Sequence, residues 1–188
     1  VCCEFGNGTA KDPAKAAWLY RQAAEQGDRV GACNLGYLYE TGVGVQQSWE
    51  EAVRWYRQAA EQDDSRAQYH LGWCYEQGKG VEKDQTAAVA WYRRAAERED
   101  PSSLCALGRC YETGSGVEKD ERHAVEIYRQ AAEMNDAEGQ YRLGRCYYYG
   151  IGISKDIHQA VQWLTKSAAQ GSRQGEFFLG QCYENGEG

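Results

Sequence analysis

Leu35-Gly36-Tyr37-Leu38-Tyr39-Glu40-Thr41-Gly42-Val43-Gly44-Val45 returns 36 residues later as Leu71-Gly72-Trp73-Cys74-Tyr75-Glu76-Gln77-Gly78-Lys79-Gly80-Val81. The Leu-Gly pair comes back at Leu107-Gly108, Leu143-Gly144 and Leu179-Gly180 without slippage. A fixed period of this size marks an array in which one supersecondary unit repeats. Such a unit cannot bury its own apolar face, so stacked neighbours supply the core and leave a long repeated surface. Tyr39, Tyr75, Tyr111, Tyr147 and Tyr183 keep the same spacing, as does the G-x-G that follows them. Of 22 glycines, 17 fall on three positions of the repeat, which makes them punctuation and not linker.

Between the G-x-G copies the pattern is helical. In residues 48–62, Ala52, Trp55, Tyr56, Ala59 and Ala60 stand at i, i+3, i+4, i+7 and i+8, one apolar stripe. Ser48 is placed to cap this helix, here called B, and Asp12, Asp84, Asp120 and Asp156 fill the same slot elsewhere. Pro13 follows Asp12 as a first-turn proline. A second helix, A, is expected over 29–41, 65–77, 101–113, 137–149 and from 173 onward. Cys33, Tyr69, Cys105, Tyr141 and Phe177 share one inward slot on it. A glycine inside each helix A costs about 1 kcal/mol relative to Ala. Close approach of helix B, through its small Ala59-Ala60 pair, is the expected compensation. The first Gly of G-x-G should end helix A in the left-handed conformation.

The chain has 188 residues, a net charge of −7 and two prolines. Its lysines and arginines form no run of five or six, so nucleic acid has no electrostatic footprint here. No stretch of 18 apolar residues suits a membrane span. Val1-Cys2-Cys3-Glu4-Phe5 aligns with the end of a repeat, and Glu187-Gly188 falls inside a G-x-G, so residues 1–188 read as one array with partial repeats at both ends, a fragment of a longer one.

The period, the Y-E-x-G-x-G-V loop, the K-D cap and the W-Y-x-x-A-A-E helix resemble the Sel-1-like repeat family (SLR). The resemblance implies an all-α, right-handed α/α superhelical solenoid of helix-turn-helix repeats related to tetratricopeptide arrays, with helices A on the concave side. It also implies an adaptor in protein complexes. Four complete A–B hairpins are expected, with a leading helix B and a trailing helix A.

Eight cysteines invite a disulfide reading, but Cys2, Cys74, Cys110, Cys146 and Cys182 share a slot with Leu38, as Cys33 and Cys105 do with Tyr and Phe. Alternation with large apolar residues marks buried small hydrophobes. Some cysteine-rich relatives staple helix A to helix B with a cysteine in each; here no B segment contains one. Reduced thiols are expected, which would suit the cytoplasm; a periplasmic, secreted or surface location is the alternative. Cys-x4-Cys spacings and isolated His70, His123 and His158 make no metal-ligand pattern, so no metal and no cofactor is expected.

Enzymatic signs are poor. The G-x-G lacks the third Gly and the strand of a phosphate loop. S-x-x-K, H-E-x-x-H and G-x-S-x-G are absent. Glu40, Glu76, Glu112 and Glu184 repeat with the array, which suits turn-stabilising or solvated residues better than catalytic ones. What varies is an outward stripe of helix A. It carries Asn34 and Tyr37, then His70 and Trp73, then Arg109, then Arg142, Arg145 and Tyr149, and lastly Phe178. Tyr, Trp and Arg are the types enriched at binding hot spots. The stripe is therefore the expected protein- or peptide-binding face of a non-catalytic scaffold. Partial burial of Tyr37 and Trp73, and pairing of the arginines with Glu138, is the structural alternative. Two further readings stand behind it: a bacterial surface or secreted module that binds a host protein, and a hydrolase or cell-wall ligand binder.

Overall fold

The computed structural model describes residues 11–186, which form ten helices: α1 (Pro13–Glu25), α2 (Arg29–Thr41), α3 (Trp49–Glu61), α4 (Ser65–Gln77), α5 (Gln85–Ala96), α6 (Pro101–Thr113), α7 (Glu121–Glu133), α8 (Ala137–Tyr149), α9 (Ile157–Ala169) and α10 (Arg173–Glu184). Odd-numbered helices up to α9 are B and even-numbered ones are A, so the four hairpins, the leading B and the trailing A all form as the period requires. The architecture is an all-α repeat solenoid. Cys2 and Cys3 lie outside the described residues. The chain divides into two compact units, residues 1–95 and 96–188.

The caps are those the sequence offers. Asp12, Ser48, Asp120 and Asp156 each accept from a backbone N–H three residues on. Helix A begins in the same way under Asp28, Asp64, Asp100, Asp136 and Ser172. The α2 helix closes at Gly42, whose φ of +72° lets its N–H reach Leu38 O at 2.8 Å. Between B and A a single residue turns left-handed. Gly27 and Gly171 do so readily, whereas Asp63, Glu99 and Asn135 adopt the same conformation with side chains attached.

The invariant helix-A glycine does meet helix B closely, but not through the alanine pair. A Cβ on Gly36 would lie 2.7 Å from the Tyr56 ring, and one on Gly108 would lie 2.5 Å from the Tyr128 ring. The alanine pair instead faces the start of helix A, where Gly31 and Gly139 would collide with Ala23 and Ala131. Each of these tyrosines, and Tyr92 likewise, is fully buried. Their hydroxyls need partners. Tyr56 donates to Glu40, Tyr92 to Glu76 at 2.8 Å and Tyr128 to Glu112 at 2.8 Å. The repeated glutamates Glu40, Glu76 and Glu112 are therefore neither turn residues nor solvated ones; they satisfy the buried phenols. In the fourth hairpin both partners change together: Leu164 replaces the tyrosine and Tyr148 replaces the glutamate.

A second repeated bond runs from helix B to the next helix A. Arg57 donates to the Tyr75 hydroxyl at 3.0 Å and Arg129 to that of Tyr147 at 3.3 Å. In the first unit the core gathers Leu35, Leu38, Val53, Trp55, Tyr56, Leu71 and Cys74. In the second, Val125, Tyr128, Leu143 and Cys146 form one cluster and Ala160, Leu164 and Cys182 another. Phe177 departs from its expected inward slot: it is 61% exposed, because no helix among the described residues lies beyond α10 to cover it.

Six cysteines (33, 74, 105, 110, 146 and 182) are buried and free. Burial pushes the thiols of Cys33, Cys74 and Cys146 up to about 12. The thiolate is the reactive form, so these groups should be inert in the native state at pH 8. A chromogenic thiol titration should find the six silent until denaturant is added, and should then count all eight cysteines of the chain without reductant. Four or more thiols missing from the unfolded count would establish disulfides instead.

Gly108→Leu gains helix propensity but drives a side chain into the Tyr128 ring, and overpacking of this kind costs about 1–3 kcal/mol. Its denaturation midpoint should fall well below that of the surface variant Glu118→Ala. Equal midpoints would remove close approach as the reason for the glycine.

Candidate functional site

The stripe on the first unit is carried by α2 and α4. Tyr37 is 46% exposed, and Asn34, His70 and Trp73 are half-buried. His70 is the centre of this group. Its ring stacks on the buried Tyr56 at 4.8 Å and 8°, and the edges of Tyr37 and Tyr69 stand 6.3 and 5.5 Å away. The His70 Nδ1 lies 3.3 Å from Glu40 Oε2. Burial would raise the Glu40 pKa, but the hydrogen bonds from His70 and Tyr56 outweigh it and hold the carboxyl below its usual range. Asn34 Oδ1 accepts from Arg66 at 3.5 Å. Trp73 packs on Trp49 with ring centroids 5.5 Å apart, and Lys79 sits over Trp49 at 5.6 Å.

The structure thus brings Tyr37 and His70 together and gives Trp73 a packing partner at the start of α3. Sequence reasoning leaves Trp49 off the helix-B stripe. Its signal is in the repeat: the slot holds Pro13, Gln85, Glu121 and Ile157 elsewhere, and an aromatic side chain there accompanies the only Trp in the Trp73 slot.

On the second unit the arginines prove to be engaged. Arg142 pairs with Glu138 at 2.7 Å and lies over the rings of Tyr128 and Tyr141 at 5.6 and 6.0 Å. Arg145 pairs with Glu112, the same carboxylate that receives the Tyr128 hydroxyl. Burial opposes the charged form of both guanidiniums. Tyr128 and Glu138 around Arg142, and Glu112 beside Arg145, outweigh it and raise both pKa values. Arg109 is half-buried on α6. The pairing alternative therefore holds for Arg142; the charge of Arg145 is matched as well, but by Glu112 and not by Glu138.

Tyr149 and Phe178 belong to a different neighbourhood. Phe178 on α10 meets Tyr141 at 5.5 Å, Tyr149 at 6.1 Å and Tyr148 at 6.4 Å, and Tyr148 stands edge-on to Tyr149 at 4.9 Å. Tyr149 is 56% exposed. Tyr141 and Tyr148, which the outward stripe does not include, complete this cluster.

Among the described residues no group of three or more His, Cys, Asp or Glu is placed to hold a metal ion. None of the described helices is long and apolar enough to cross a membrane. Three concavities are folds of the A–B loops, such as that lined by Tyr39, Val45, Gln47 and Ser48, and none of these three is lined by a stripe residue.

The sequence matches the Sel1 repeat model six times, over residues 1–28, 30–64, 65–100, 101–136, 137–172 and 173–188. A Sel1 repeat protein of Oxalobacter formigenes is 38% identical over 99% of this chain and 74% of its own, with a TM-score of 0.94. A protective antigen of uropathogenic Escherichia coli strains with an SLR fold is 37% identical over 98% of this chain, with a TM-score of 0.88. The chain spans 40% of the length of that antigen. Cysteine-rich protein B of Helicobacter pylori is 26% identical over 71% of this chain and 96% of its own, with a TM-score of 0.57. No curated protein matches the sequence. Repeats of this kind are generally protein–protein interaction modules and generally non-catalytic. With the family model matched from end to end and the helical hairpins in register with it, the chain belongs to the Sel1 repeat family.

Proposed function

We propose that the chain is a non-catalytic scaffold, a single array that binds a peptide or folded protein on its helix-A face. One observation carries the reading: slots that fold the repeat are constant and buried, whereas the outward stripe varies and keeps large aromatics in water. Leu35, Leu71 and Leu143 are fully buried, while Tyr37 and Tyr149 remain about half exposed. Exposed aromatic rings on a rigid surface are good anchors, since they supply contact area at small entropic cost.

Engagement of Arg142 and Arg145 with glutamates shifts the weight of the reading toward the aromatic members. Removal of Arg145 would take the cation from Glu112, the half-buried carboxylate that also holds the Tyr128 hydroxyl, so its loss would disturb the fold as well as a partner. Tyr37, His70 and Trp73 on one unit, and Tyr149 and Phe178 on the other, are the residues that a partner would meet first.

Likeness to the Escherichia coli antigen favours one second reading, a surface or secreted module that binds a host protein through the same face. Antibody labelling of intact cells separates the two, since a scaffold confined inside the cell would label only after permeabilisation.

Affinity purification from the native source, followed by mass spectrometry, should yield a stoichiometric protein partner. Tyr37→Ala should weaken that complex by about 2 kcal/mol, the level of a hot spot, without moving the melting temperature. Trp18, which is 58% exposed on α1, provides the contrast. If Trp18→Ala releases the partner and Tyr37→Ala does not, the binding face belongs to the B helices.

A further inference from the structure

Helix α10 leaves open a face that α2, α4, α6 and α8 each give to a helix B. Glu176, Phe177, Gly180, Tyr183 and Glu184 stand at i, i+1, i+4, i+7 and i+8, one side of the helix. A Cβ on Gly180 would meet nothing within 4 Å, whereas at Gly36, Gly72, Gly108 and Gly144 it would meet a helix-B ring or leucine at 2.5 to 2.8 Å. Phe177 is exposed where Cys33 and Cys105 are buried, and Tyr183 is 62% exposed where Tyr39 is 9%. Glu184 fills the slot in which Glu40, Glu76 and Glu112 accept the helix-B phenol. The helix therefore carries the glycine and the glutamate of the hairpin contact, and no described residue supplies the ring.

Glu176 gives this face a chemistry of its own. Its slot is buried in the four hairpins, where it holds Ala32, Gln68, Leu104 and Gln140; only α10 places a carboxylate there. In the fourth hairpin the end of helix B reaches the slot, since Gln170 donates to the Gln140 side chain at 2.9 Å. Gln170 stands six positions beyond Leu164, the residue that lies on Gly144. A helix seated on α10 in the same register would bring its own residue at that position against Glu176. A carboxylate covered in this way needs a cation beside it.

We propose that the open face of α10 docks an amphipathic helix of a partner protein, one that carries Ala-x-x-x-Tyr and then Lys or Arg six residues after the tyrosine. The first three hairpins define the seating. Tyr56, Tyr92 and Tyr128 lie on the glycines, and in the second hairpin the Ala88 backbone, four residues before Tyr92, passes 3.2 Å from a Cβ on Gly72. On α10 the partner's tyrosine would lie on Gly180 and donate to Glu184, its alanine would allow the close approach, and its cation would pair with Glu176. Recognition of a helix in a groove reads side chains at such fixed spacings. The described helices of a second copy offer nothing equivalent: Tyr56, Tyr92, Tyr128 and Leu164 are fully buried, and Tyr20 of α1 is already engaged. This surface is separate from the stripe that holds Tyr37 and Trp73, and it adds a second site to the scaffold.

A synthetic peptide of residues 84–98 is the probe, because it holds Ala88, Tyr92 and Arg98 at the required spacing. It should bind the chain saturably at one site, and Gly180→Leu should weaken that binding by about tenfold or more. The same change should leave the chain's own melting temperature unchanged or raised, since the new side chain enters open space and leucine favours a helix. Tyr92→Phe in the peptide should weaken binding through loss of the bond to Glu184. Glu176→Lys in the chain should weaken the parent peptide, and the Arg98→Glu peptide should restore binding to that variant. Tyr37→Ala should leave peptide binding intact, so this surface and the stripe stand or fall separately. Absence of binding, equal binding to the parent and to Gly180→Leu, or a charge exchange without rescue would each overturn the proposal. Self-association of the chain that Gly180→Leu abolishes would make the face an interface between copies. A fall in the melting temperature of the protein made by its native source on Gly180→Leu would place the covering helix in the same polypeptide. Either of these last two results would overturn the partner helix.

Discussion

The contact between a glycine of helix A and the ring of the B-helix tyrosine sets the distance at which the two helices of a hairpin can lie. With hydrogen at Gly36, the Tyr56 ring occupies the space that a methyl group would need, and the helices close onto each other. That closeness buries the phenol completely, and a buried hydroxyl must have a partner. Glu40, one turn along helix A, supplies it. Glycine, tyrosine and glutamate thus act as one device, spread over 21 residues and present in three hairpins. The surface stripe inherits its geometry from this device, because His70 and Arg142 rest on the outer faces of the same tyrosine rings.

A charge held in this way has two roles. Glu112 receives the Tyr128 hydroxyl on its inner side and Arg145 on its outer side. The arginine that looks like a free recognition group in one dimension is therefore part of the support for the buried tyrosine. In the first unit the corresponding carboxylate, Glu40, is shared between Tyr56 and the imidazole of His70. Substitutions at these positions would act on the fold as well as on any recognition, which moves the proposed binding surface outward to rings such as Tyr37 and Tyr149.

Most of the fold is legible in the sequence because the repeat reports every local rule several times. Helix limits, Asp and Ser caps and left-handed glycine ends all follow from spacing and residue type. Spacing alone did not say which B residue faces Gly36. The small alanines were the natural choice, yet a large ring fits where a glycine stands because the ring lies beside the backbone and not end-on into it. The partner of the glutamates was hidden for a similar reason: Tyr56 and Glu40 are 16 residues apart and on different helices. The signal was present in the fourth hairpin, where Leu164 and Tyr148 depart together. For the candidate site, residue identities were readable and their engagement was not. Arg142 and Arg145 looked outward by helical phase, but long side chains can turn back to a neighbouring helix.

Hydrogen bonds between successive repeats join residues about one period apart, such as Gln58 to the Ala24 carbonyl, 34 positions back, and Gln170 to Gln140, 30 positions back. Nothing in these bonds refers to a distant part of the chain. Duplication or loss of a whole 36-residue segment would leave bonds to backbone carbonyls, such as that from Gln58, with an equivalent partner. A side-chain pair such as Gln170–Gln140, whose slots hold Met134 and Leu104 one repeat earlier, survives only where both residues stay. A lineage could therefore lengthen or shorten the array by unequal recombination without passing through an unfolded intermediate form. Repeat number would be an easily varied trait, while a single-residue insertion inside a helix would break the register of glycine, tyrosine and glutamate at once.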